Sequence, residues 1–231
     1  VVVVVVSLLA TLGSGLFAVQ AEHVSVTGNV YTDPDALQAV IDDLVGTPTL
    51  LADTTEAERR LEEIAWVAAA KVTVRFPHSA SIEIRERQAI ATYRGPDQRY
   101  RVLDRDGRVL DVLDKWPFAY VVIDGPDPVD LDAGQFAPFG YAAAAELAKN
   151  LTPGVRAQLD RIGVTADGAS LALRLDDGTE VRFGVARNLL DKLVRLETVL
   201  DRIAAEREAG ERPAEEGPLV IDVSTRETTV G

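Results

Sequence analysis

Two short runs in the first half of the chain alternate with a period of two. Val72, Val74 and Phe76 stand against Lys71, Thr73 and Arg75, and Ile82 and Ile84 stand against Glu83 and Arg85. That period marks a pair of half-buried strands. Pro77-His78-Ser79 between them predicts a turn, because proline presets φ and serine can bond its own backbone. The extended pattern runs on past Glu86-Arg87 into Ala89-Ile90-Ala91-Thr92-Tyr93, so residues 76–91 are expected to close one domain and open the next.

Upstream of this hairpin the period changes to three and four. Val24 and Val26 predict a short strand over 23–28, ended by Gly28-Asn29, a pair that tolerates positive φ. Asp33-Pro34 then predicts a helix start, with aspartate as cap and proline in the first turn, and Leu37, Val40, Ile41 and Leu44 on one face. Gly46-Thr47-Pro48 stops it. Asp53 with Glu56 three residues on predicts a second helix that opens with a capping box and buries Ala57, Leu61, Ile64 and Ala65. Trp66-Val67 leads into the hairpin. The order is strand, helix, helix, strand, strand.

Downstream, hairpins dominate. Residues 100–103 and 108–112 flank Asp104-Arg105-Asp106-Gly107. Tyr120 to Ile123 is an apolar strand ended by Asp124-Gly125-Pro126. Phe139 to Asn150 predicts an alanine-rich helix. Residues 161–164, 170–175 and 179–183 predict a meander with turns at Asp167-Gly168 and Asp177-Gly178. Ala186 to Glu208 is the longest predicted helix, with an apolar stripe of Leu189, Leu190, Leu193, Leu196, Val199, Leu200 and Ile203. Asp191, Lys192, Arg195, Asp201 and Arg202 are expected on its polar face. A polar acidic loop over 210–217 precedes a last strand, Leu219 to Val230. The fold class expected is α+β, the second domain a mixed or antiparallel sheet with flanking helices.

Val1 to Val19 carries no charge. As a helix it would cover roughly 28 Å, near the ~30 Å hydrocarbon core of a bilayer. A retained N-terminal transmembrane helix is expected over residues 1–21; the competing reading is a signal peptide cut near Val19-Gln20-Ala21.

Composition narrows the chemistry. The chain has 231 residues, no cysteine and a net charge of −13. Thiolate metal sites and disulfides are excluded, and the charge argues against nucleic acid or anionic lipid as the main partner. Only His23 and His78 could serve a catalytic triad, and their sequence positions favour neither. The Asp104–Gly107 cluster lacks the calcium-loop ligands, since Val102 and Leu113 stand where acidic groups are needed. It reads as a hairpin turn. No phosphate loop is present. The expected reading is a non-enzymatic protein with no metal and no cofactor.

The last strand places Leu219, Ile221 and Val223 on one side and Val220, Asp222, Ser224 and Arg226 on the other. Either it closes the sheet with ordinary surface charges, or it leaves an edge whose unpaired N–H and C=O groups accept a strand from another chain.

Several of these residues together carry a resemblance: Phe76-Pro77, Ser79, Ile82-x-Ile84, Glu86-Arg87 and the small apolar run after it, Gly28-Asn29, Trp66-Val67-x-x-Ala70, and Ile221-Asp222-Val223-Ser224. The pattern resembles the bacterial cell-division FtsQ/DivIB family, with Phe76 where that family usually has Trp and Ala89 where it usually has Pro. The resemblance implies a membrane anchor over 1–21, a POTRA module over 22–88 and a β domain over 89–231. It implies a single-pass divisome scaffold at the septum, its C-terminal part outside the cytoplasm. The implied partners are FtsB and FtsL, and through them the septal synthase pair FtsW and FtsI. The residues it marks for partner binding are Val220, Ile221, Asp222, Val223, Ser224, Thr225 and Arg226. The alternative is a POTRA-bearing secretion or outer-membrane assembly component.

Overall fold

The computed structural model describes residues 17–210, 218–225 and 228–230. They pack as two units that part between Arg87 and Gln88.

The first unit follows from its capped helices and alternating strands. In order it has β1 (Val24–Thr27), α1 (Pro34–Leu44), α2 (Thr54–Glu63), β2 (Val67–Arg75) and β3 (Ser79–Glu86). The sheet order is β1-β3-β2, with β1 parallel to β3 and β2 antiparallel to it. Asp33 caps α1 by accepting from the amides of Asp35 and Ala36 at 2.8 and 3.1 Å. Asp53 caps α2 through the Glu56 amide at 3.0 Å, while the Glu56 carboxylate pairs with Arg59. Leu37, Val40 and Leu44 of α1 and Ala57 and Leu61 of α2 pack with Val67, Val72, Ile82 and Ile84 of the sheet. Gly28 follows β1 at φ +84°, and a Cβ there would stand 1.9 Å from the Ile84 carbonyl oxygen, so only glycine fits.

Two expectations change here. Phe76 is 63% exposed and belongs to the turn, not to the buried side of β2. The run expected to be a helix through Val19 is extended over its last residues. Ala18 bridges Pro48, the Thr49 amide donates to the Phe17 carbonyl at 2.8 Å, and the Val19 amide donates to the Thr47 carbonyl at 3.0 Å. Val19 is 1% exposed, so packing against this unit outweighs continuing a helix. Residues 1–16, the rest of the expected membrane span, lie outside the described residues. Among the described residues no helix is long and apolar enough to cross a membrane.

The second unit is built on one nine-stranded sheet. Its elements are β4 (Ala91–Arg94), β5 (Tyr100–Leu103), β6 (Val109–Leu113), β7 (Val121–Asp124), α3 (Phe139–Asn150), α4 (Pro153–Ala157), β8 (Leu159–Val164), β9 (Ser170–Leu175), β10 (Glu180–Val185), α5 (Leu189–Glu208), β11 (Val220–Asp222) and β12 (Thr229–Val230). The order is β12-β11-β10-β9-β8-β7-β4-β5-β6. The pairs β4–β7, β7–β8 and β10–β11 are parallel and the others antiparallel, so the sheet is mixed. Period-two positions Ile162, Leu171, Leu173, Val181, Phe183 and Ile221 are buried in one core with the alanines of α3 and with Leu193 and Leu196 of α5. The Asp104–Gly107 cluster is a turn: Asp104 Oδ1 accepts from the amides of Asp106 and Arg108, both at 2.9 Å, and Gly107 sits at φ +80°.

The long helix departs from its expected phase. Leu190 is 66% exposed, whereas Lys192 is only 5% exposed. At 3.6 residues per turn Lys192 falls between Leu196 and Val199 on the buried face, and Leu190 falls outside it. The single last strand expected from Leu219 to Val230 is two strands, β11 and β12, that pair antiparallel.

Candidate functional site

The candidate site is the C-terminal edge of the large sheet, and its geometry starts at β10. Gly184, at φ +70°, lies in a register shift between β10 and β9. A Cβ there would come 2.9 Å from Ser224 Cβ, so glycine lets the segment after β11 lie close over the end of β10. β11 then runs parallel to β10, with Val220, Ile221 and Asp222 opposite Glu180, Val181 and Arg182. The Val223 amide extends this ladder by donating to the Arg182 carbonyl at 3.0 Å.

Alternation along β11 is as the sequence predicts. Leu219, Ile221 and Val223 are buried, at 7, 0 and 0% exposure, while Val220, Asp222 and Ser224 are half-buried on the other face. Asp222 Oδ1 accepts from the Ser224 amide at 2.8 Å and from its hydroxyl at 2.6 Å. Those two bonds hold the Asp222 carboxyl below its ordinary range, and Arg182 and Lys192 add a smaller attraction. The aspartate therefore turns the chain at Ser224-Thr225. On this face the grooved surface beside Asp222 and Ser224 has a volume of about 420 Å³ and includes Ser170, Ala172, Arg182 and Gly184.

Two cations of α5 fix the strand ends from behind. Lys192 Nζ donates to the carbonyls of Phe183 and Val185 at 2.8 and 2.9 Å. Burial first, and then the nearby Arg195 charge, pull the Lys192 ammonium below its ordinary pKa. Arg195 donates to the Thr225 carbonyl at 2.6 Å and to the Val223 carbonyl at 3.4 Å. The carbonyls that β10 and β11 leave beyond their ladders are thus taken up by side chains. Both residues thus depart from the polar face expected of them; the local signal is the helical spacing of Lys192, which matches that of the leucines.

β11 is not the edge. Ile221 and Asp222 pair with Val230 and Thr229 of β12, so β11 is bonded on both sides and the outermost strand is β12. Of the expected partner-binding residues, Val220, Ile221, Asp222, Val223, Ser224 and Thr225 come together in β11 and its turn. Arg226 lies outside the described residues. Among the described residues no group of three or more His, Asp or Glu could hold a metal ion.

Two family models match the chain. The POTRA domain, FtsQ-type, matches residues 19–87, and the C-terminal domain of cell division protein FtsQ/DivIB matches residues 91–223. Cell division protein FtsQ of Corynebacterium glutamicum is 25% identical over 202 residues, which cover 87% of this chain and 88% of that protein. FtsQ of Mycobacteroides abscessus is 30% identical over 205 residues, covering 86% of this chain and 62% of that protein. The major extracytoplasmic domain of DivIB from Geobacillus stearothermophilus is 22% identical over 51% of this chain and 96% of its own, with a TM-score of 0.34.

Proposed function

The chain belongs to the FtsQ/DivIB family of cell-division proteins, and from that premise we propose that it is a single-pass divisome scaffold. It acts by holding other membrane proteins together at the septum and turns over no substrate. Its partners are bitopic proteins of the FtsB and FtsL kind and, through them, a septal synthase pair of the FtsW and FtsI kind. Residues 1–16 continue an uncharged run that suits a retained anchor, with the two described units outside the cytoplasm.

The observation that carries this reading is the short outer strand Thr229–Val230, set on a strand whose far end is tied by Arg195. A two-residue edge offers little template to its own kind, yet its outward N–H and C=O groups can join a partner strand once neighbouring side chains add specificity. Val220 to Ser224 stand beside that edge, with Asp222, Arg182 and Ser224 supplying polar groups of both signs.

The test is co-expression of the full chain with the FtsB-like and FtsL-like proteins of its own organism, followed by affinity purification in detergent. All three should elute together, and depletion of this chain should produce undivided filaments. Elution of the chain without either bitopic protein would remove the scaffold reading.

A further inference from the structure

We infer that one end of the first unit, built from Phe17, the loop at 46–52 and the turn at 76–78, lies against the outer surface of the bilayer. The inference rests on the proposed anchor and adds to it a lipid-contacting surface on the folded module.

Three segments without formal charge meet at this end: residues 17–21, 44–52 and 76–82. The chain as a whole is 26% charged, so three uncharged segments at one end stand out. The meeting is made by backbone bonds. The Thr49 amide donates to the Phe17 carbonyl and the Val19 amide to the Thr47 carbonyl, while the Gln20 amide donates to the His78 carbonyl at 3.0 Å. Phe17 stacks on Phe76, ring centroids 5.0 Å apart, and His23 packs edge-on against His78 at 4.3 Å.

The apolar side chains here are turned outward. Leu50 is 70%, Leu51 76% and Phe76 63% exposed, in loops that could have carried polar residues at no cost to the core. The first charges met beyond the three segments are Glu22, Asp43, Asp53, Arg75 and Glu83, so the uncharged zone has a charged border. A partner protein would also accept such a patch. The membrane is favoured by where the patch sits: the uncharged run of residues 1–16 joins the unit at Phe17, inside it. Any span made by that run delivers Phe17 at the interface, where aromatic rings and leucines gain most from partial insertion. The chain's net charge of −13 opposes an anionic bilayer. The three segments escape that repulsion, so the contact is apolar and independent of headgroup charge.

The absence of cysteine makes the test direct. Single Leu51→Cys, Phe76→Cys, Glu63→Cys and Leu9→Cys variants of the full chain are labelled with an environment-sensitive fluorophore and reconstituted into phosphatidylcholine vesicles. Folding of each is checked by circular dichroism. Lipids carrying a shallow acyl-chain quencher report depth, and iodide reports water. The labels at 51 and 76 should shift to the blue, lose intensity to the lipid quencher and resist iodide, as for groups roughly 5–10 Å into the headgroup boundary. The label at 63, on α2 where the native side chain is 64% exposed, should do the reverse. Iodide quenching without lipid quenching at 51 and 76 would overturn the proposal while the label at 9 still reports an embedded anchor. Protection from both quenchers would assign the patch to a protein contact and overturn it as well. No lipid quenching at 9 would remove the anchor reading separately.

Discussion

Glu86 and Thr32 are joined twice, because Glu86 Oε1 accepts from both the amide and the hydroxyl of Thr32 at 2.6 Å. The same oxygen accepts from the amides of Val30 and Tyr31 at 2.9 and 2.7 Å. One carboxylate at the end of β3 therefore organises the whole loop between β1 and α1, and Tyr31 stacks on Trp66 at 4.7 Å beside it.

This cradle should be acid-sensitive. Burial pushes the Glu86 carboxyl up, but the Thr32 hydroxyl and the three amides outweigh it, and the net shift is downward from 4.5. A depressed folded pKa contributes stability above the unfolded value, and that contribution is lost as pH falls through the folded one. Glu86→Ala should destabilise the first unit by about 2 kcal/mol near neutral pH, and by progressively less in acid. Urea melts of wild type and variant at pH 7 and below pH 4 check this; an unchanged difference would deny the carboxylate its role.

The segment before β1 predicts a second effect. Val19 is 1% exposed and Ala18 7% exposed, and both lie upstream of the expected module boundary at residue 22. A fragment of residues 17–88 should be cooperative and more stable than one of residues 22–88, by about 1.5–3 kcal/mol for the lost valine. Paired denaturant melts of the two fragments decide it, and equal midpoints would mean that residues 17–21 add nothing.

The sequence made most of this unit legible because its signals are local. Caps at Asp33 and Asp53, the alternation around Ile82 and Ile84, and Gly28 each point to one backbone state, and the structure adopts all of them. What it concealed depends on distant partners. Nothing near Phe76 distinguishes a buried strand end from an exposed turn residue that stacks on Phe17. Nothing near Thr229 shows that the chain reverses and pairs back onto Ile221. Lys192 is hidden for a different reason: its charge points to solvent while its helical phase points to the core, where its long apolar stem can lie when carbonyls receive the ammonium. At the candidate site the residues of β11 were legible, but their place inside the sheet was not.

Lys192 gives a third prediction. Lys192→Met keeps the stem volume but leaves the Phe183 and Val185 carbonyls without their ammonium, at a cost of about 1–3 kcal/mol. Because Lys192 is held below its ordinary pKa by burial, the folded state binds its proton less tightly than the unfolded state. Wild type should therefore gain stability as pH rises from the folded pKa toward the unfolded value of 10.5. The methionine variant should lack that rise. Thermal melts between pH 8 and 10.5 provide the comparison, and parallel curves would refute it.

Partner docking at the outer strand can be tested by proline. In an antiparallel strand the backbone groups of successive residues point to opposite sides. One of Thr229 and Val230 therefore faces β11, and the other faces outward. Thr229→Pro and Val230→Pro, made separately, should differ: the outward-facing substitution spares the fold and blocks strand addition, while the other loosens β12 itself. Val223→Pro is the control for a broken sheet, because the Val223 amide already donates inward to Arg182. It should lower the melting temperature whatever happens to binding. Ser224→Ala removes the 2.6 Å hydroxyl bond to Asp222 and should weaken the turn and partner affinity together. Arg226→Glu tests the charge expected beside the edge; reversing a desolvated interfacial charge typically costs about 2–5 kcal/mol, an affinity loss of roughly 30-fold or more. Affinity for the FtsB-like partner is measured only on variants with wild-type circular dichroism. If both β12 prolines and Arg226→Glu keep wild-type affinity, the partner binds elsewhere. The exposed Leu190 and Val194 on α5 then become the surface to mutate.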